Sequence, residues 1–113
     1  MGLSIKEATM YQLIFYVPTT HLEQVKTAIF EAGAGRYEDY DSCCWQTVGN
    51  GQFRPLVGSN PFIGEQGKVE TVEEYKVETV CKDEDLQEVL NALKASHPYE
   101  EPAYSYFEIN EEL

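Results

Sequence analysis

The densest grouping of chemistry-bearing residues in this sequence is His97-Pro98-Tyr99-Glu100-Glu101-Pro102. An imidazole titrates near neutral pH, and two carboxylates follow it closely in sequence. Such a set could bind a divalent metal through His97 and Glu100. It could equally hold a polar ligand with the help of Tyr99 and Glu101, or supply an acid–base pair. The same run also suits a rigid connector, with two prolines framing a turn that its polar residues tie down, and spacing alone favours that reading. Pro98 argues against the His-x-x-Glu metal geometry of a helix.

Other candidates are more scattered. Arg54 stands between Phe53 and Pro55 and is one of only eight basic residues. A guanidinium there could clamp a carboxylate or phosphate, or form a structural ion pair with one of the twenty acids. Cys43 and Cys44 are adjacent, so in a strand they point to opposite faces and do not readily chelate one ion together. One is expected outward and one buried. Cys81 alternates with apolar residues and reads as core; His21 reads as an exposed residue at a helix start. Gly33-Ala34-Gly35 lacks the third glycine of a dinucleotide fingerprint, and no glycine run is followed by Gly-Lys-Ser/Thr. No nucleophile elbow or zinc-protease motif is present.

The elements that must position these residues follow from periodicity. Residues 1–9 read as an irregular leader. Met10–Val17 is a strand stopped by Pro18, apolar on both faces apart from Gln12. A strand apolar on both sides needs cover on both sides, which points to a partner subunit. A helix is expected over 20–32, with Thr20 and Glu23 as a capping box and Leu22, Val25, Ile29 and Ala32 as its buried stripe. Gly33 ends it. The stretch 33–67 then holds seven of the eight glycines. Within it, Cys43–Val48 reads as a strand, Gly49-Asn50-Gly51 as a tight turn, and Gln52–Leu56 as a short return strand. An irregular loop follows, anchored by Phe53, Phe62 and Ile63. Val69–Lys82 is a long strand. Asp83 is expected to cap a helix over 84–95 that buries Leu86, Val89, Leu90 and Leu93. Ala103–Ile109 is the last strand, and 110–113 an acidic tail.

The order is β-α-β-β-α-β: an α+β, ferredoxin-like split βαβ fold, with a long Gly/Pro-rich hairpin-loop insertion between the halves. It forms one domain over residues 10–109. The net charge of −12 disfavours nucleic acid and anionic membranes as partners. No apolar run approaches the roughly 20 residues of a membrane span, and no signal core is visible at the start. Three cysteines, an odd count without a CxxC, fit a reduced cytoplasmic setting.

Four runs occur in order: Glu31-Ala32-Gly33-Ala34-Gly35, Gly51-Gln52-Phe53-Arg54-Pro55, Asn60-Pro61-Phe62-Ile63-Gly64, and His97-Pro98-Tyr99-Glu100-Glu101-Pro102-Ala103-Tyr104. Together they resemble the domain inserted in the bacterial YqfO-type, Nif-three-like dinuclear-metal proteins. That domain is similar in fold to the signalling protein PII and the divalent-cation tolerance protein CutA. The resemblance implies a stand-alone PII/CutA-like module without the metal-bearing larger domain, and a trimer with inward-facing sheets. The expected function is a non-enzymatic binding or regulatory module for a small ligand, a metal or a protein at a subunit interface. Its expected site residues are His97, Tyr99, Glu100, Glu101, Arg54 and Cys43. The alternatives are an interface enzyme using His97 with Glu100 or Glu101 as acid–base groups, and a purely structural trimerisation module.

Overall fold

The computed structural model describes residues 9–110. The expected leader and acidic tail lie outside the described residues except for Thr9 and Asn110. The elements are β1 (Met10–Pro18), α1 (Leu22–Ala32), β2 (Cys44–Phe53), β3 (Glu70–Lys82), α2 (Asp83–Ser96) and β4 (Tyr104–Ile109). The four strands form one antiparallel sheet in the order β2-β3-β1-β4. This is the expected split βαβ arrangement.

Alternation decides which face is covered. Leu13, Phe15 and Val17 of β1 are fully buried, as are Val77 of β3 and Val25, Ile29, Val89 and Leu93 of the helices. Cys81 joins this core, as its alternation implied. Both helices therefore lie on one sheet face. On the other, Ile14 is half-buried and Tyr16 is 39% exposed, beside Trp45 at 70% and Phe107 at 49%. The doubly apolar first strand thus has one face packed within the chain and one face open. No helix among the described residues is long and apolar enough to cross a membrane.

Both helix starts differ from expectation. Thr20 does not cap α1; its hydroxyl meets His21 Nδ1 at 2.8 Å. A short 3-10 turn, Thr19–His21, precedes the helix, and the Leu22 N–H donates to the Thr19 carbonyl. Backbone thus supplies a partner at the helix start in place of a side-chain cap. Asp83 is the first residue of α2 rather than its cap, and its N–H donates to the Thr9 carbonyl at 2.9 Å.

The larger correction concerns β2. Gly49-Asn50-Gly51 is not a turn. The strand runs straight through it and pairs with β3 from Cys44↔Thr79 to Phe53↔Glu70. Neither glycine has the positive φ that a two-residue hairpin turn demands. Gly51 serves a close approach instead: the Glu74 carboxylate of β3 occupies the space where its Cβ would stand. The hairpin is closed by the irregular segment 54–69. That segment is held by its own hydrogen bonds, among them the Gly67 N–H to the Pro55 carbonyl at 2.7 Å and the Ser59 hydroxyl to the Leu56 carbonyl at 2.7 Å.

Candidate functional site

The connector between α2 and β4 is built around His97. Helix α2 ends there, the His97 N–H donating to the Leu93 carbonyl at 3.0 Å. The imidazole is 6% exposed. Its Nδ1 accepts the Tyr99 backbone N–H at 3.1 Å. That fixes the tautomer: Nε2 carries the proton and donates to the Tyr16 carbonyl at 2.7 Å. Burial lowers the His97 pKa below its ordinary value, partly offset by the Tyr16 hydrogen bond and the charge of Glu74. His97 is therefore a neutral clamp joining the connector to β1. Neither ring nitrogen is left for a metal or for proton transfer.

Clamping His97 aims Tyr99 at the loop segment 54–69. Its ring lies 5.1 Å from His97, 5.8 Å from Phe53 and 6.4 Å from Phe62, centroid to centroid. Phe62 also meets His21 edge-on at 5.4 Å. The Tyr99 hydroxyl donates to Glu74 Oε2 at 2.8 Å. Burial first, then this bond and the carboxylate charge, push the phenol well above its ordinary pKa. Glu100 reaches the loop from the other side, accepting the Asn60 N–H at 3.2 Å.

Between connector, loop and open sheet face lies a cavity of about 300 Å³. Tyr16, Phe53, Phe62 and Tyr99 supply its aromatic wall, with Pro55, Pro61 and Ile63. Its polar groups are Gln52, Ser59 and the carboxylates of Glu74, Glu100 and Glu101. The volume sits at the lower end of the range for small-ligand sites.

The six expected site residues are not brought to one place. Tyr99, Glu100 and Glu101 line the cavity, and His97 stands behind it. Arg54 is exposed between two lining residues but does not line the cavity. It forms no ion pair among the described residues, so the expected structural ion pair is not realised within the chain. Cys43 lies just before the start of β2, and the cavity at its end. At about 3.3 Å per residue the two are some 30 Å apart. Cys43 lines a separate shallow hollow with Gln12, Trp45 and Glu78. The other lining residues of the cavity are not among those six, and Tyr16 and Glu74 are the two with the most chemistry to offer. Tyr16 was assigned to subunit packing. Glu74 looked like an ordinary strand acid; the signal was its place opposite a strand segment carrying two glycines, visible only once β2 and β3 are paired.

A divalent cation, as CutA-type names imply, does not fit these residues. No group of three or more His, Cys, Asp or Glu side chains among the described residues is placed to hold a metal ion. Glu74, Glu100 and Glu101 line the cavity but do not form such a group.

No family model matches the chain. Similar proteins are nevertheless plain. The chain is 44% identical over 104 residues to a GTP cyclohydrolase 1 type 2 homolog of Halalkalibacterium halodurans, covering 92% of this chain but 28% of that protein. In structure it resembles a Bacillus cereus protein related to NIF3, with TM-score 0.79 and 34% identity, covering 92% of this chain and 26% of the other. It also shares its fold with the periplasmic divalent cation tolerance protein CutA of Archaeoglobus fulgidus, with TM-score 0.65 and 19% identity over 92% of this chain and 87% of that one. The chain thus spans little more than a quarter of the curated relatives it matches. Over that span it is similar to one part of the NIF3-related proteins and has the fold seen in CutA.

Proposed function

We propose that this chain is a non-catalytic binding module, working as a homotrimer, whose ligand enters the cavity between the His97–Ala103 connector and the 54–69 loop. One observation carries the reading. The connector is tied to the loop by the Asn60–Glu100 hydrogen bond and to β3 by the Tyr99–Glu74 hydrogen bond, and what they enclose is a hollow rather than a packed core. Pre-formed hollows with aromatic walls and few polar groups are what small ligands use. The acid–base alternative loses His97 as a participant, since both of its ring nitrogens are engaged. The activity in the relatives' name belongs to proteins more than three times as long in sequence as the matched span, and we do not extend it to this domain. The trimer is supported by the open sheet face with its exposed Trp45, Tyr16 and Phe107. The unpaired cysteines suit the cytoplasmic setting proposed with it.

Amide NMR during a small-molecule fragment screen tests the site. Shifts should concentrate on residues 52–63 and 99–103. Shifts confined to the hollow at Cys43 and Trp45 would overturn the assignment. Native mass spectrometry tests the assembly, and a monomer alone would refute the trimer.

A further inference from the structure

Resting on that cavity, we propose that its ligand is a small organic cation, an ammonium or guanidinium group carried on an apolar body. The wall and the polar groups make separate demands. Tyr16, Phe53, Phe62 and Tyr99 offer apolar surface and electron-rich ring faces, which attract a cation as well as a hydrocarbon. The charged lining residues are all carboxylates: Glu74, Glu100 and Glu101. Their hydrogen-bonding capacity is only partly used. Glu74 receives the Tyr99 hydroxyl on Oε2, and Glu100 receives the Asn60 N–H on Oε1. Glu74 Oε1, Glu100 Oε2 and the Glu101 carboxylate have no hydrogen bond among the described residues. What remains is an array of carboxylate acceptors, and an acceptor array is completed by a donor of positive charge.

No neighbouring base already does this. Lys and Arg are absent from the lining. Arg54 is exposed and does not line the cavity, and His97 is held neutral behind Tyr99 by its two backbone bonds. A bare metal ion is disfavoured, because no group of three or more metal-ligating side chains is placed to hold one among the described residues and the aromatic wall offers it no ligands. Phosphorylated ligands are disfavoured by charge. Gly51 fits the same picture: its missing side chain leaves room for the Glu74 carboxylate over the strand, half-buried at the edge of the aromatic wall.

A matched probe series tests charge separately from cavity binding. The probes are 2-phenylethylammonium, its neutral isostere 2-phenylethanol, and 3-phenylpropionate, each titrated into the whole chain by amide NMR. The ammonium should bind at the cavity about tenfold more tightly than the alcohol, and the carboxylate should bind least. Glu74→Gln keeps a carbonyl for the Tyr99 hydroxyl and removes the charge. It should weaken the ammonium about tenfold and leave the alcohol unchanged. If alcohol or carboxylate binds the cavity as tightly as the ammonium, the cation inference is overturned while the binding module stands. Equal weakening of ammonium and alcohol by Glu74→Gln overturns it in the same way. If no probe shifts the cavity residues at millimolar concentration, both readings fail.

Discussion

Strand β2 joins two regions built by opposite means. At its first end, around Gly33–Cys43, backbone meets backbone. The Gly35 N–H donates to the Val80 carbonyl at 2.8 Å and the Cys43 N–H to the Gly35 carbonyl at 2.9 Å. Tyr37 and Tyr40 exchange both of their backbone bonds at 2.9 Å. At its far end, side chains do the joining: His97 to β1, Tyr99 to Glu74, Glu100 to Asn60. Backbone contact knits the first end together and leaves only the shallow hollow beside Cys43. Side-chain contact props the second end open and leaves a cavity. The two ends share a glycine-rich composition, so composition alone does not say which end holds a site.

The sharpest break in this comparison is His97→Ala. It removes a buried ring and strands two backbone groups, the Tyr16 carbonyl and the Tyr99 N–H. We expect a loss of roughly 3–5 kcal/mol by urea denaturation, from lost packing and unpaired polar groups. That is a large share of a small domain's stability. A loss below about 1 kcal/mol would mean that His97 does not carry the cavity end.

The corresponding change at the first end targets a glycine. Gly35 has φ +77°, and an added Cβ would stand 2.9 Å from both the Cys43 backbone nitrogen and Phe30 Cε1. Gly35→Ala should cost roughly 2–4 kcal/mol, combining left-handed strain with overpacking. Gly58 separates the two contributions. Its φ is +97°, but nothing lies within 4 Å of the added carbon. Gly58→Ala should cost only the strain, roughly 1–2 kcal/mol. Equal losses at the two positions would remove close packing as the reason for Gly35.

Much of the fold was legible because its determinants are local. The stripe Leu22, Val25, Ile29 and the alternation of β1 set the helices and sheet directly. The capping box and the Gly49–Gly51 turn failed for a common reason. Thr20 and Gly51 are chemically suited to caps and turns, and their neighbours gave them other tasks, the adjacent His21 for Thr20 and the cross-strand Glu74 for Gly51. The 3-10 turn supplied the first donor's partner, and Glu74 needed the space above Gly51. The site was half legible. The connector His97–Pro102 announced itself by composition, yet the role of His97 depended on a carbonyl of Tyr16, far away in sequence. Cys43 and Arg54 were chosen for their chemical type, which says nothing about where a side chain faces.

Acid should also distinguish the two ends. Burial depresses the His97 pKa from its ordinary 6.5. Just below that value, the unfolded imidazole binds a proton that the folded one refuses. The unfolded state therefore holds more protons, and stability falls as pH drops through 6.5 towards the folded pKa. The slope from this one group cannot exceed about 1.4 kcal/mol per pH unit. His97→Gln should flatten the fall in unfolding free energy between pH 7 and pH 5 relative to the wild type. Gly35→Ala should lower stability at every pH and leave the slope intact. Parallel pH profiles for wild type and His97→Gln would contradict the neutral clamp.

The smallest effect expected is at Cys43. Its backbone is fixed by Gly35 and by the Thr79 hydroxyl, which donates to the Cys43 carbonyl at 2.7 Å. Its thiol makes one long contact, 3.6 Å to the Asp41 carbonyl, and is only half-buried. Cys43→Ala keeps every backbone bond, so it should change unfolding free energy by less than about 0.5 kcal/mol. Thiol labelling supplies a second readout. Burial, with Asp85 and Asp83 nearby, pushes the Cys81 thiol up to about 11. Iodoacetamide at pH 8 should therefore spare Cys81 while the fold is intact and reach Cys43, which the Cys43→Ala mass spectrum identifies by the lost adduct. A Cys43→Ala penalty as large as that of Gly35→Ala would show that side chains hold the first end too, and the contrast between the two ends of β2 would collapse.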